Sequence, residues 1–141
     1  MKKNKLVLLV LLVFLFLTPS VSASEVFTFS QLKELAESVG FSPSISSTIA
    51  AIGLAESSGN PNAHNDDLST ADNSYGLMQI NMINFPYYQL GNSRLKEFGI
   101  ESNDELFDPV VNMKAAKKIY DTSGLTAWSV YTRGAYKEYL P

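Results

Sequence analysis

The sequence contains no cysteine and only one histidine, and these absences exclude several classes of protein. Without cysteine there is no disulfide framework, so packing alone must hold the fold together. A single histidine also leaves no plausible zinc site, and we expect neither a metal nor a cofactor. Basic residues are few, since 11 Lys and Arg against 14 Asp and Glu give a net charge of −3. An acidic chain without a basic cluster is not expected to bind nucleic acid.

Long apolar runs are scarce as well, and the one long run lies near the N-terminus. Residues 6–17 form an unbroken apolar stretch of 12 residues. A membrane-spanning helix needs roughly 20 such residues. Three lysines among the first five residues precede the run, and Val21-Ser22-Ala23 follows it with small side chains suited to cleavage. This is the pattern of a secretory signal peptide.

We therefore expect residues 1–23 to be a signal peptide and residues 24–141 to form a single exported domain. Removal of the three N-terminal lysines leaves 8 basic against 14 acidic residues, a net charge of −6. We expect this domain to be secreted, or to lie in the cell wall or periplasm, as a monomer without stable membrane insertion. The alternative is an uncleaved N-terminal membrane anchor, which the short apolar run disfavours.

The exported domain carries the signals of a mainly helical fold. Residues 28–31 (TFSQ) fit a capping box, residues 42–43 (SP) fit an N-cap followed by proline, and residues 108–109 (DP) open a later helix. The apolar and amide residues on one face of that later helix are Asn112, Ala115, Ala116 and Ile119. No run alternates apolar and polar residues over five positions. We therefore predict a helical bundle with at most a small β-hairpin, in the polar stretch 60–76.

Glu56 has an unusual position in the second predicted helix. Ile45, Ile49 and Ile52 recur there at i, i+4 and i+7. At 100° per residue, Glu56 falls about 20° from Ile45 around the helix axis. Its carboxyl group is therefore predicted to face the core, where desolvation and the helix C-terminus both favour the neutral acid. A protonated carboxyl group near neutral pH suits a general acid. The alternative is a solvated glutamate at a helix end.

Four segments of the exported domain, taken together in their order along the chain, are more informative than any one of them alone. AESSGNPNA at 55–63 is followed by SYGLMQIN at 74–81, and then by LFDPVVNMKAAKKIY at 106–120 and AWSVYTRGAYKEYL at 127–140. Together with residues 27–57, these segments resemble the soluble lytic transglycosylase domain, a member of the lysozyme superfamily. The resemblance covers almost the whole exported chain. It implies a lysozyme-like α+β fold, mainly helical, around a substrate cleft.

The resemblance also implies roles for individual residues. Glu56 matches the single catalytic acid and base of the family, and Ser57 matches the serine that follows it. Gln79 matches a residue that lines the saccharide cleft. Tyr131 matches a tyrosine that reaches the cleft, although the family's Tyr-Asn-Ala-Gly element reads here as Tyr-Thr-Arg-Gly.

Further candidates rest on side-chain chemistry. Tyr75 could stack on a sugar face, and Asn81 could hydrogen bond to hydroxyl and acetamido groups. Each also has a structural interpretation, as a core aromatic or as a buried amide that needs partners. Asp66, Asp67 and Asp72 lie in the loop that could face the cleft, and Asp72 is the most plausible second carboxylate. A polar turn is the interpretation that we favour for all three.

The function implied by the resemblance is lytic transglycosylation of peptidoglycan glycan strands. The β-1,4 bond between N-acetylmuramic acid and N-acetylglucosamine would be cleaved with formation of 1,6-anhydro ends, using only the carboxyl group of Glu56. Two alternatives stay open. One is a hydrolytic lysozyme on the same fold, which would need a group such as Asp72 to activate water or support the cation. The other is a non-catalytic wall-binding module, which the intact Glu-Ser and Gly-Leu-Met-Gln elements disfavour.

Overall fold

Helices dominate the computed structural model, which describes residues 25–85 and 88–141. The α-helices in these ranges are α1 (Phe29–Ser38), α2 (Pro43–Ser57), α3 (Leu90–Phe98), α4 (Pro109–Ser123) and α5 (Ser129–Thr132). Short 3-10 turns lie at Leu68–Thr70, Asn103–Phe107, Leu125–Ala127 and Ala135–Tyr139. The predicted fold class, mainly α with a minor β component, is confirmed.

The β component consists of two small antiparallel sheets. The first has the order β1 (His64–Asn65), β2 (Ser74–Tyr75) and β3 (Ile80–Asn81), and its register aligns Asn65, Ser74 and Asn81 in one row. The second is a hairpin of β4 (Asn84–Phe85) and β5 (Tyr88–Gln89). The structure therefore contains more β-sheet than the sequence predicts, which was at most one small hairpin. Strands of two residues are too short to show the alternation that predicts a strand.

The helix starts follow the predicted capping signals. Thr28 Oγ1 accepts a hydrogen bond from the N–H of Gln31 at 3.3 Å, and Gln31 Oε1 accepts from the N–H of Thr28 at 2.8 Å, which completes the capping box. Asp108 Oδ1 accepts from two backbone N–H groups in the first turn of α4, both at 2.9 Å. Ser42 is the N-cap of α2 but makes no side-chain capping bond. The side chain of Asp108 therefore satisfies donors that a helix start leaves unpaired.

The hydrophobic core lies around α2, which packs against α1, α5 and the C-terminal 3-10 turn. The largest fully buried apolar side chains are Leu32, Ile49, Ile52, Leu77, Met78, Ile80, Met82, Leu106 and Met113. The predicted inward stripe of α2 is therefore observed, with Ile45 half-buried at the edge of this core. The face of α4 predicted to point inward is buried as well.

Asn112 ties α4 to the turn that precedes β3. Its Oδ1 accepts a hydrogen bond from the N–H of Met78 at 2.9 Å, and its Nδ2 donates to the carbonyl groups of Tyr75 and Leu106, each at 2.8 Å. Gly76 packs directly against this amide with a φ of 72°, and a Cβ there would lie 2.3 Å from Asn112 Nδ2. Asn112 therefore has a structural role, because its buried amide is satisfied by backbone groups.

Residues 1–23, predicted to be a signal peptide, lie outside the described residues. Within the two ranges that the structure describes, no helix has both the length and the apolar character needed to cross a bilayer. Cleavage after Ala23 and the alternative of an uncleaved anchor therefore both stay predictions.

Candidate active site

A polar cleft of about 480 Å³ lies where the C-terminal turn of α2 meets the three-stranded sheet. The start of α3, Ile119 of α4 and residues 127–129 complete its walls. Polar and charged side chains that line the cleft include Glu56, Asp72, Gln79, Asn81, Arg94 and Ser129. Its volume is within the range of roughly 300–1,000 Å³ that is typical of small-molecule sites. Four residues predicted from the sequence to act at the site are thus brought together: Glu56, Asp72, Gln79 and Asn81.

Glu56 lies in the last turn of α2 and presents a half-buried carboxyl group to the cleft. Loss of hydration on burial raises its pKa from 4.5 to about 7. The charge of Arg133 opposes this rise, and the charge of Asp72 adds to it. Among the described residues, no group hydrogen bonds to this carboxyl group. Glu56 can therefore hold or release a proton close to neutral pH.

Asp72 also lines the cleft, shortly before the start of β2, and two neighbouring side chains donate hydrogen bonds to its carboxylate. Asn65 Nδ2 donates to Oδ2 at 2.7 Å, and the hydroxyl group of Ser74 donates to Oδ1. Asn65 and Ser74 are paired across β1 and β2, so the sheet register orients both donors toward this carboxylate. Of the three aspartates considered in the loop, Asp72 is the one that lines the cleft. Asp67 instead caps the 3-10 turn that follows it, where it accepts from the N–H of Ser69.

Gln79 and Asn81 form part of the sheet wall. Gln79 has a φ of 45°, which is uncommon for a residue other than glycine, and its Nε2 donates to the carbonyl groups of Gly76 and Ala63 at 3.0 and 3.2 Å. Asn81 Oδ1 accepts from the N–H of Ile83 at 2.9 Å. These bonds fix both amides in place, and Gln79 Oε1 has no partner among the described residues. An accepting oxygen in a cleft can bind a hydroxyl or amide N–H of a ligand.

Three other predicted site residues do not line this cleft. Ser57 Oγ donates a hydrogen bond to the carbonyl of Gly53 at 2.9 Å, within the last turn of α2. Tyr75 is buried, and its ring stacks on that of His64 with centroids 4.3 Å apart. Tyr131 is half-buried and stacks on Tyr136 at 5.0 Å. The structure gives these residues local packing roles, and their contact with substrate stays a prediction.

Several residues of the cleft were not predicted from the sequence, chiefly Asn65, Ser74, Arg94 and Ser129. Asn65 and Ser74 belong to two-residue strands whose pairing has no sequence signal. Arg94 lies on α3, where its side chain points into the cleft and donates to the carbonyl oxygen of Asn81. No cluster of three His, Asp or Glu side chains that could hold a metal ion occurs in residues 25–85 and 88–141.

Comparison with known proteins agrees with this architecture. A family model described as a lysozyme-like domain matches residues 33–130, more than two thirds of the chain. The chain therefore belongs to the lysozyme-like domain family. The match includes the whole of α2, the three-stranded sheet and α4, and ends just before Tyr131. No curated protein matches the sequence.

Family membership supports a peptidoglycan-acting enzyme that cleaves a glycosidic bond. The geometry of the cleft is compatible with that chemistry. The cleft is lined by a carboxyl group that can donate a proton near neutral pH and by a carboxylate and two amides held by hydrogen bonds. Hydrolysis and transfer of a glycosidic bond both require an acid placed beside the leaving oxygen.

Proposed function

We propose that the protein is a lytic transglycosylase that cleaves the β-1,4 bond between N-acetylmuramic acid and N-acetylglucosamine, with Glu56 as its acid and base. The observation that carries the proposal is the Glu56 carboxyl group, which faces the cleft without a hydrogen-bond partner in the described chain and has a pKa of about 7. A group that titrates near the working pH can both give and take a proton. Family membership supports the substrate class.

In this mechanism protonated Glu56 gives its proton to the oxygen that links the two sugars. The bond to the muramyl anomeric carbon breaks, and the acetamido oxygen of the same sugar stabilises the cation that forms. Glu56, now ionised, takes the proton of the muramyl 6-hydroxyl while that oxygen attacks the anomeric carbon. The product is a 1,6-anhydro end, and Glu56 is protonated again. Attack within one sugar ring avoids the entropy cost of bringing in a second molecule.

The surroundings of Asp72 favour an electrostatic role over a nucleophilic one. Both oxygens of this carboxylate accept hydrogen bonds from the protein, from Asn65 and Ser74. Such bonds hold the negative charge in place and stabilise it, which reduces its tendency to attack a carbon atom. A fixed negative charge can nevertheless stabilise a cation in the cleft. A single catalytic carboxyl group, Glu56, together with the fixed negative charge of Asp72 matches the transglycosylase mechanism.

A hydrolytic lysozyme is the second candidate, and a specific observation favours it. Asp72 lines the same cleft as Glu56, so the chain does carry two carboxyl groups at one site. A glycosidase pair of this kind uses one acid and one base or nucleophile. In that case Asp72 would activate water or support a covalent intermediate, and the product would carry a reducing end.

Mass analysis of fragments released from purified peptidoglycan separates the two candidates. The transglycosylase route predicts muramyl ends lighter by one water than reducing ends, and Asp72→Asn should reduce the rate only a few-fold. Reducing ends as the main product, with a hundredfold or larger loss in Asp72→Asn, would establish the hydrolase and reject our proposal. Binding to peptidoglycan without any released fragment would reject both and support the wall-binding module.

We further propose that the protein acts outside the cytoplasm as a monomer, after removal of residues 1–23. Support comes from the lysine-rich start, the short apolar run and the small residues before Ser24, and from a substrate class that lies outside the cytoplasmic membrane. N-terminal sequencing of the exported protein should begin at Ser24. A mature chain that begins at Met1, and that stays with the membrane, would reject this proposal.

A further inference from the structure

Arg94 is the only cation among the residues that line the cleft in the described part of the chain. It is half-buried, and the mature chain around it is acidic, with 8 basic against 14 acidic residues. The ion pairs in the described ranges are Lys33–Glu37 and Lys117–Asp121, and neither pair includes a residue of the cleft. A partly desolvated cation is costly unless an anion or several acceptors face it.

The guanidinium group of Arg94 is held in place but is far from satisfied by the protein. Its Nη1 donates to the carbonyl oxygen of Asn81, the single hydrogen bond of this side chain within the described residues. A guanidinium has five N–H donors in a rigid planar fork. No buried side-chain nitrogen or oxygen lacks a partner in these ranges, so the guanidinium nitrogens without a bond to the protein are accessible to solvent, on a side chain that lines the cleft. Removal from water lowers the pKa of Arg94, and the charge of Glu97 on the same helix opposes this change, although a guanidinium stays charged.

We propose that Arg94 is a specificity-determining residue that pairs with a carboxylate of the bound glycan strand. The inference rests on the proposed function insofar as it takes peptidoglycan as the substrate. A planar fork with open donors binds a carboxylate through two parallel hydrogen bonds. Peptidoglycan carries such groups on the muramyl side: the carboxylates of the peptide stem or, where the stem has been removed, the lactyl carboxylate. The neutral sugar rings offer no equivalent partner.

The test measures binding rather than cleavage, so that its outcome does not depend on the proposed function. All variants are made in a Glu56→Gln background, and affinities are measured by fluorescence anisotropy. The labelled probes are a peptidoglycan tetrasaccharide with peptide stems, the stem-free tetrasaccharide, and the stem-free form with its lactyl carboxylates converted to amides. Arg94→Gln removes the guanidinium group and its positive charge. Lys96→Gln removes the same charge two residues away on α3, from an exposed side chain that does not line the cleft.

We expect Arg94→Gln to weaken binding of at least one carboxylate-bearing probe about tenfold, as is typical for a charge-assisted hydrogen bond, and to change binding of the amide probe less than twofold. Lys96→Gln should change none of the three by more than twofold. A loss confined to the stem-bearing probe identifies a stem carboxylate, and a loss that includes the stem-free probe identifies the lactyl carboxylate. Equal weakening of all three probes, or no weakening of the charged ones, would overturn the proposal.

A second measurement needs no variant at position 94 and covers the case in which Arg94→Gln fails to fold. The Glu56→Gln protein should bind at least one charged probe about tenfold more tightly than the amide probe at low salt, and added salt should reduce the difference. Equal affinity for charged and amide probes, or no binding of any probe, would overturn the proposal. If the parent protein cleaves no peptidoglycan while the expected binding pattern holds, the proposed function fails and the role of Arg94 stands.

Discussion

The middle of the core and the end of α2 each contain a polar side chain on the inward face of a helix. The two side chains differ in whether the protein supplies them with hydrogen-bond partners. Asn112 of α4 is fully buried, and its amide makes three hydrogen bonds to backbone groups. Glu56 of α2 is half-buried, and its carboxyl group has no hydrogen-bond partner in the described residues. Both positions follow from helical periodicity, yet only Asn112 is satisfied by the fold.

The difference distinguishes a structural polar group from one available for chemistry. Hydrogen bonds to Asn112 stabilise the turn before β3, and so the wall that carries Gln79. Burial of Glu56 without such bonds favours its neutral form, which raises its pKa to about 7. The protein therefore gains stability at Asn112 and gives up stability at Glu56. Perturbed carboxyl groups in clefts are typical of functional sites.

The largest effect is expected from Glu56→Gln, which keeps the size and polarity of the side chain but cannot deliver a proton. Peptidoglycan cleavage should fall roughly a thousandfold, since general acid–base catalysis contributes about 10²–10⁴ in rate. Release of soluble fragments measures the activity, and circular dichroism verifies the fold. Glu34→Gln, on the exposed face of α1, is the matched control and should keep the parent rate. Near-parent activity in Glu56→Gln would remove Glu56 from the mechanism.

Asn112→Leu should have the next largest effect, on stability. The substitution removes the hydrogen bonds that Asn112 makes with the N–H of Met78 and with the carbonyl groups of Tyr75 and Leu106. Each unsatisfied buried group costs about 1–3 kcal/mol, so we expect a loss of about 4 kcal/mol in the free energy of unfolding. Urea denaturation measures it. Asn62→Leu at an exposed position should cost less than about 0.5 kcal/mol. Similar losses for both would show that Asn112 does not stabilise the core.

Gly76→Ala compared with Gly99→Ala tests how closely the turn before β3 packs on Asn112. Both glycines have nearly the same φ, 72° and 71°, so backbone strain should cost about 1 kcal/mol at either position. A Cβ at Gly76 would lie 2.3 Å from Asn112 Nδ2, whereas nothing lies within 4 Å of one at Gly99. The clash should raise the cost at Gly76 to about 3 kcal/mol. Equal melting temperatures for the two variants would contradict this packing.

The smallest effect concerns the pH dependence of stability at Glu56. Its pKa in the folded protein, about 7, is raised above the ordinary value of 4.5, so its stabilising contribution is complete below about pH 4.5 and is lost as pH rises through 7. Glu56→Gln should therefore gain stability over the parent between pH 5 and pH 8. With 1.36 kcal/mol per pKa unit, discounted for partial exposure, the gain is about 1–2 kcal/mol. Denaturation at both pH values measures it, and no gain would argue against the raised pKa.

Helix starts and helix faces were predictable because their causes are local. A capping box at 28–31 and Asp108 before a proline act within one turn of the chain, and the structure shows both. The inward positions of Asn112 and of the α2 isoleucines follow from 3.6 residues per turn. The same periodicity places Glu56 toward the core without reference to any tertiary contact, and the family resemblance is confirmed by the match over residues 33–130.

The part of the cleft around Asp72 and Arg94 was much less predictable than Glu56, because its geometry depends on contacts between residues that are distant in the sequence. Of the three aspartates in the loop, the sequence made Asp72 the most plausible second carboxylate, but it favoured a polar turn for all three. Only the pairing of β1 with β2 brings Asn65 and Ser74 together around Asp72. Arg94 had no local partner that could mark it as a cleft residue, and the stacking of Tyr75 on His64 had no local signal either.

Local signals in the sequence specify the helices, their inward faces and the position of Glu56 at the end of α2, since capping and periodicity operate between residues at most a few positions apart. The groups around Glu56 depend instead on tertiary contacts. Two-residue strands have too few residues to carry a periodic signal, so their register exists only once α4 and Asn112 hold the turn before β3. Burial, and to a smaller extent the charge of Asp72, raise the pKa of Glu56, while the charge of Arg133 opposes that rise. Such an environment forms only when remote segments meet.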